Sequence, residues 1–189
     1  MEVYIVFTDT KTAFSKLIKF YTQHAYSHVS LSFDPGLDQM YSFGRKDGMS
    51  GSSIGFVKED KNMKLFQRAH CAIAKFPVPE KSYYKMRKCI KDMEKNQEHY
   101  KYNMTGLFGV VMKKELQRSN AYFCSQFVAE VLMQAGLNIS DKPSGLVMPS
   151  DLYSLEQLEF IYTGALNAYP LLDSIPYGYE EEPLLMEAL

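Results

Sequence analysis

One cysteine of the chain stands where a thiol can act as a nucleophile. Apolar side chains recur with helical spacing directly after Cys124, at Phe127, Val128, Val131, Leu132 and Ala135. Cys124 would therefore begin a helix, where unpaired backbone N–H groups favour the thiolate and could also hold an oxyanion. Cysteine is also one of the most buried residue types, so the position alone leaves a packing role open.

A histidine far away in the sequence could serve this thiol as a base. His28, Ser30 and Ser32 alternate with apolar residues over positions 26–33, which predicts a half-buried strand. The alternation directs His28 away from the main core, where a thiol brought close by the fold could use it as a general base. The alternative is a surface imidazole on an exposed sheet face.

A third polar residue is needed to orient the imidazole of such a pair. Residues 34–36, Asp-Pro-Gly, predict a turn, and positions 40–44 alternate again, so the two segments form a candidate hairpin. If the loop is centred on Gly36, Leu31 lies opposite Tyr41. Ser42 then shares the face of His28 and is our candidate for the third catalytic residue, although an ordinary strand serine would give the same pattern.

The two remaining cysteines lack this context. Cys71 lies in a predicted strand and Cys89 on a predicted amphipathic helix, so both are interpreted as packing thiols. The chain has no zinc-type cysteine or histidine spacing, and it lacks the phosphate-loop, dinucleotide-binding and serine-hydrolase motifs. We therefore expect neither a metal nor a cofactor.

The elements that would position these residues alternate between strands and helices. Val3–Phe7 predicts an interior strand, and an apolar stripe after Thr10 predicts a helix that ends near Gln23. Further strands are predicted at 54–58, 70–76 and 160–163, a Gly- and Ser-rich loop at 46–53, and a surface helix at 81–99. The order predicts an α+β fold in which a small antiparallel sheet packs against the cysteine-bearing helix.

Composition limits the classes of partner and compartment. The 189 residues are 46% apolar with a net charge of −1, so we expect one domain at 1–168, a tail containing proline and acidic residues at 169–189, and no nucleic-acid binding. Three cysteines suit a reducing compartment better than a disulfide framework. No apolar window is long enough for a transmembrane helix and no signal peptide is evident, so we expect a soluble, cytoplasmic protein.

The two blocks His28-Val29-Ser30-Leu31 and Phe123-Cys124-Ser125-Gln126, with the strand at 40–44 between them, resemble the circularly permuted branch of the NlpC-type, papain-like superfamily. YiiX-like proteins and lecithin–retinol acyltransferase belong to that branch. In ordinary papain-like enzymes the cysteine helix precedes the histidine strand, whereas here the histidine comes first. The segment Pro149-Ser150-Asp151-Leu152 also resembles the one after the cysteine helix in these proteins, and the likeness spans about residues 1–165.

The resemblance implies a function as well as a fold. It implies a nucleophile at Cys124, a base at His28 and a third polar residue, often His or Glu in relatives, where this chain offers Ser42. We therefore expect a cysteine hydrolase of the amidase or peptidase type, or an acyltransferase, that acts on a peptide, an amide or a lipid ester. The alternative is a non-catalytic module that binds a peptide or lipid in the same cleft, and a serine as the third residue favours it.

Overall fold

The computed structural model describes residues 1–9, 25–45, 54–111, 114–116 and 118–169. Six of the strands described there form one sheet: β1 Glu2–Asp9, β2 His28–Ser32, β3 Met40–Arg45, β4 Ile54–Glu59, β5 His70–Pro77 and β8 Glu159–Ala165. Two short strands pair with each other: β6 Lys101–Tyr102 and β7 Ala121–Tyr122. The helices in these ranges are α1 Glu80–Lys95, α2 Met104–Val111, α3 Cys124–Gln134 and α4 Pro149–Tyr153.

The large sheet has the order β4-β3-β2-β1-β5-β8, and every neighbouring pair is antiparallel. β1 lies between β2 and β5, as its unbroken run of apolar residues predicted, because a strand covered on both faces has no polar side. The expected α+β class and antiparallel sheet are therefore confirmed, and the six predicted strands correspond to the six strands of this sheet.

The hairpin of β2 and β3 has the predicted register, with Leu31 opposite Tyr41. The prediction that one face of β2 is exposed is wrong. Ser30, Ser32 and Ser42 are all fully buried, and an apolar cluster lies on the same face of the sheet. That cluster contains Tyr4 and Val6 of β1, Met40 of β3, Cys71 and Ile73 of β5, and Phe66 from the segment before β5.

The cysteine-bearing helix α3 packs on the other face of the sheet, where it contacts β2 and β3. Its apolar stripe, including Phe127, Val131 and Leu132, joins the larger hydrophobic core with Val29 and Leu31 of β2. Gly136 follows the helix with a φ of 90°, the left-handed conformation that favours glycine after a helix end. The predicted start of this helix at Cys124 is confirmed, and the helix ends at Gln134.

Several predicted elements differ from the structure or lie outside the described residues. The predicted surface helix at 81–99 ends at Lys95 and is followed by a 3₁₀ turn, Gln97–His99. β4 extends one residue further than predicted, to Glu59. The predicted helix after Thr10, the loop at 46–53 and the tail beyond Tyr169 lie outside the described residues. Within the described ranges, the helices are all too short or too polar to cross a lipid bilayer.

Candidate active site

His28 is the first residue of β2, and its imidazole contacts a carboxylate from the edge of the sheet. Nε2 of His28 lies 2.8 Å from Oε1 of Glu59, the last residue of β4. The His28 side chain is 15% exposed and that of Glu59 is 4% exposed. An ionised carboxylate only accepts hydrogen bonds, so Nε2 carries the proton and Nδ1 is the nitrogen left to exchange a proton with another group.

Two serines complete the surroundings of the carboxylate. Ser42 donates to Oε1 of Glu59 at 2.6 Å, and Ser30 donates to Oε2 at 2.5 Å. The Ser30 hydroxyl also lies 3.3 Å from Nε2 of His28. Ser42, our candidate for the residue that orients His28, thus contacts Glu59, and Glu59 contacts the ring.

The imidazole interacts with Cys124 as well as with Glu59. Burial lowers the pKa of His28, but the charge of Glu59, a hydrogen bond with the Cys124 side chain and the hydrogen bond with Glu59 outweigh burial and raise this pKa from 6.5 to about 10. The charge of Cys124 acts in the same direction. His28 is therefore an imidazolium ion at neutral pH, placed between a carboxylate and a thiol.

The same contacts act on Glu59 in the opposite sense. Burial raises the pKa of this carboxyl, but the positive charge of His28 and the hydrogen bonds from His28, Ser30 and Ser42 outweigh burial and hold the pKa below its usual 4.5. Glu59 is therefore ionised at neutral pH although it is nearly inaccessible to water. A buried carboxylate of this kind is stable only when its oxygens are paired.

Cys124 is the first residue of α3 and is 4% exposed. The preceding residue, Phe123, is the N-cap, and its side chain cannot accept hydrogen bonds from the first turn of the helix. The first-turn N–H groups of α3 therefore receive no side-chain cap from Phe123. A helix N-terminus of this kind can stabilise negative charge that develops close to it during a reaction.

A tyrosine lies close enough to Cys124 to respond to its charge. β6 runs parallel to β7, so Tyr102 pairs with Tyr122, two residues before the cysteine. Asn103 continues this pairing by donating its backbone N–H to the carbonyl of Tyr122 at 2.9 Å. Burial and the charge of Cys124 raise the pKa of Tyr102 well above 10, so its phenol stays protonated near the thiol.

The other two thiols have different surroundings. Cys71 is buried in the second apolar cluster, and burial raises its pKa to about 12. Burial, together with the charges of Asp92 and Glu130, also raises the pKa of Cys89. Both thiols are thus protonated at neutral pH, in agreement with the packing roles assigned to them from the sequence.

Sequence reasoning missed Glu59 and Tyr102. The predicted strand stopped at Lys58, and the search for a third residue was limited to the strand directly after His28. The available signal was the alternation in β4, which places Glu59 on the same face as Val57, and Val57 pairs with Ser42. Nothing in the sequence around Tyr102 distinguishes it from the other tyrosines of the chain.

Comparisons with protein-family models and with curated protein sequences found no match. The fold and the site therefore define the class of protein by themselves: a mixed α+β protein whose antiparallel sheet and helix N-terminus bring a carboxylate, an imidazole and a thiol together.

Proposed function

We propose that the protein is a cysteine-dependent hydrolase or acyltransferase on a permuted papain-like, NlpC-type fold, with Cys124 as nucleophile and His28 as its acid–base partner. One observation carries the proposal: the His28 ring is shared between the buried Glu59 carboxylate and the Cys124 thiol at the start of α3. Glu59 acts through His28 and is a positioning residue, in the place for which the sequence suggested Ser42.

The charge distribution sets the first chemical step. The attacking form of Cys124 is the thiolate, and His28, whose pKa is raised, holds the proton while the sulfur attacks a carbonyl carbon. A C–S bond forms, and the carbonyl π electrons move to oxygen. The N–H groups of the first turn of α3 stabilise this oxyanion, and the protonated Tyr102 phenol, which is near enough to respond to the charge of Cys124, is a second candidate donor.

The remaining steps return the site to its starting state. When the oxyanion collapses, the bond to the leaving amine or alcohol breaks and His28 gives that group its proton. Neutral His28 then takes a proton from water, or from an acceptor alcohol or amine, whose oxygen or nitrogen attacks the thioester. The acyl product leaves, and the thiolate and imidazolium are restored. The substrate we propose is a peptide, another amide or a lipid ester.

The binding-module alternative loses the feature that favoured it. That alternative was favoured by a weak hydroxyl as the third group, but the group in contact with His28 is the Glu59 carboxylate. A pure binding site has no need of an ionised carboxylate that is buried and bonded to three donors, because such a group is costly to bury.

Formation of an acyl-enzyme tests the proposal without knowledge of the natural substrate. On mixing with p-nitrophenyl acetate, we expect a burst of nitrophenolate equal to the enzyme concentration and an acetyl group on the peptide that contains Cys124, detected by mass spectrometry. Cys124→Ala should abolish both signals. Cys89→Ala, which removes a partly exposed thiol beside Gln134 at the opposite end of α3 from Cys124, is the matched control and should retain them. An acetyl group spread over several cysteines, or a burst in Cys124→Ala, would refute the proposal.

A further inference from the structure

The carboxylate that faces His28 is held by hydroxyl groups on two other strands. Ser30 on β2 and Ser42 on β3 each donate to a different oxygen of Glu59 on β4, at 2.5 and 2.6 Å. We propose that Ser30 and Ser42 are positioning residues that fix the Glu59 carboxylate in its ionised form with Oε1 directed at His28. Their effect on catalysis rests on the proposed function, whereas their effect on His28 does not.

The count of hydrogens supports this role. A serine hydroxyl has one hydrogen to donate, and both serines direct it at Glu59. With the N–H of His28, three donors converge on two oxygens, which suits a carboxylate with four lone-pair sites. A protonated carboxyl would place its own hydrogen close to the hydrogens that these three donors already direct at its oxygens. The two hydroxyls therefore favour the ionised form of Glu59.

Burial prevents water from replacing these donors. Ser30 and Ser42 are both 0% exposed, and the Glu59 side chain is 4% exposed. Removing one hydroxyl leaves a carboxylate lone pair without a partner in a site closed to solvent, a costly arrangement. The expected response is an increase in the pKa of Glu59, and because the two groups are coupled, a decrease in the pKa of His28.

The geometry also explains why two serines are present. Oε1 accepts from His28 and Ser42, while Oε2 accepts from Ser30. One hydroxyl on each oxygen prevents the carboxylate from rotating about its last bond, so Oε1 stays directed at the ring. With one hydroxyl lost, the carboxylate can turn, and His28 loses the fixed orientation that proton transfer to and from sulfur requires.

The test is an NMR titration of the full chain that follows the Cε1–H resonance of His28, identified by its loss in His28→Gln. We expect Ser30→Ala and Ser42→Ala each to lower the pKa of His28 by about one unit, since a hydrogen bond to a charged group has about this effect. Ser32→Ala is the matched control. Ser32 is fully buried on the same face of β2, but its hydroxyl bonds to Asp34, so the pKa of His28 should not change.

A conservative variant and a kinetic measurement separate positioning from a structural role. Ser42→Thr keeps a hydroxyl and should keep the pKa of His28 higher than Ser42→Ala does. In the acetylation assay the alanine variants should lose rate mainly in kcat. The acid limb of the kcat profile, which depends on neutral His28 as the base of deacylation, should move to lower pH.

The possible results are decisive. A pKa of His28 that is the same in Ser30→Ala, Ser42→Ala and Ser32→Ala would overturn the proposal, as would a Ser42→Thr variant no different from Ser42→Ala. If one alanine variant does not fold, the other carries the same test, because each hydroxyl contacts its own oxygen. A lowered pKa without any acyl-enzyme in the unsubstituted protein would support the role of the serines and refute the proposed function.

Discussion

At the scale of single residues, the site contains two charged groups, Glu59 and His28, each of which stabilises the charge of the other. Glu59 remains ionised because His28 and the two hydroxyls pair its oxygens, and His28 remains protonated because Glu59 lies 2.8 Å from its ring. If either Glu59 or His28 is replaced by a neutral residue, the other loses its partner. The remaining group is then either buried with an unpaired charge or becomes neutral by gaining or losing a proton. The reactivity of Cys124 should therefore depend on Glu59, even though this carboxylate acts only through the ring.

Glu59→Gln tests this dependence. The amide has almost the same shape but no charge, so the pKa of His28 should fall from about 10 towards 6.5, and less imidazolium remains to stabilise the thiolate at neutral pH. We expect alkylation of Cys124 by iodoacetamide at pH 7 to slow by roughly 10-fold or more, as one pKa unit of lost stabilisation gives a factor of 10. Peptide mass spectrometry over time gives the rate for each cysteine.

The control for this experiment is Glu159→Gln. Glu159 is a carboxylate of the same sheet that pairs with Lys75 at the surface, 2.9 Å away, so its loss should not change the rate at Cys124. In the unsubstituted protein Cys124 should react faster than Cys71 and Cys89, whose pKa values are raised. Equal rates at Cys124 and Cys89 would contradict the activated thiolate.

At the scale of elements, helix α3 positions the sulfur, and its two ends are defined differently. The apolar stripe fixes which face meets β2 and β3, and Cys124 begins the helix. Gly136 ends the helix with a φ of 90°, where a side chain is strained. Among the described residues other than its chain neighbours, none has an atom within 4 Å of the position that a Cβ would occupy. The penalty for a side chain here is therefore one of backbone conformation alone.

Gly136→Ala should destabilise the fold by about 1–2 kcal/mol, the cost of the left-handed conformation for a residue with a Cβ. Gly136→Asn should cost less, because asparagine tolerates this conformation. Chemical denaturation measures the free energy of unfolding of each variant, and acetylation of Cys124 should be unchanged under conditions where both are folded. Equal stability of Gly136→Ala and the unsubstituted protein would show that the helix end can rearrange.

Local patterns predicted the elements well because their causes are local. The helix at Cys124 follows from the spacing of apolar residues, and the pairing of Leu31 with Tyr41 follows from the turn at Gly36. The buried serine face was mispredicted for a non-local reason: the apolar cluster on this face takes its residues from β1, β3, β5 and the segment with Phe66, which alternation within β2 cannot reveal.

The partner of His28 was missed for a similar reason. Glu59 lies 31 residues away in the sequence and reaches the ring from β4, with β3 between the two strands. A glutamate at the end of a strand is usually a solvated residue, so its type and position gave no sign of burial. The sequence could place His28, Ser30 and Ser42 on one face, but only the order of the strands shows that they enclose a carboxylate.

At the scale of the whole molecule, the ion pair links the site to the stability of the fold. The pKa of His28 is about 10 in the folded protein and 6.5 without its contacts, so between these values the folded state binds more protons than the unfolded state. Its contribution to stability is complete below pH 6.5 and is lost as pH rises through about 10. Glu59 has a lowered pKa, so its contribution is present above pH 4.5 and is lost as pH falls through the folded value.

The ion pair of His28 and Glu59 should therefore make the melting temperature fall as pH rises from 6.5 to 10. His28→Gln should remove the share of this fall that comes from His28. His99→Gln is the matched control, since His99 is exposed in the 3₁₀ turn after α1 and its loss should leave the slope unchanged. Melting curves by circular dichroism at several pH values give the slope of melting temperature against pH for each variant. Comparing slopes cancels any destabilisation by the substitution that does not depend on pH. Parallel curves for His28→Gln and the unsubstituted protein would mean that His28 is not protonated in the folded state. Proton transfer from Cys124 to a neutral His28 would then have to precede the attack in the proposed mechanism.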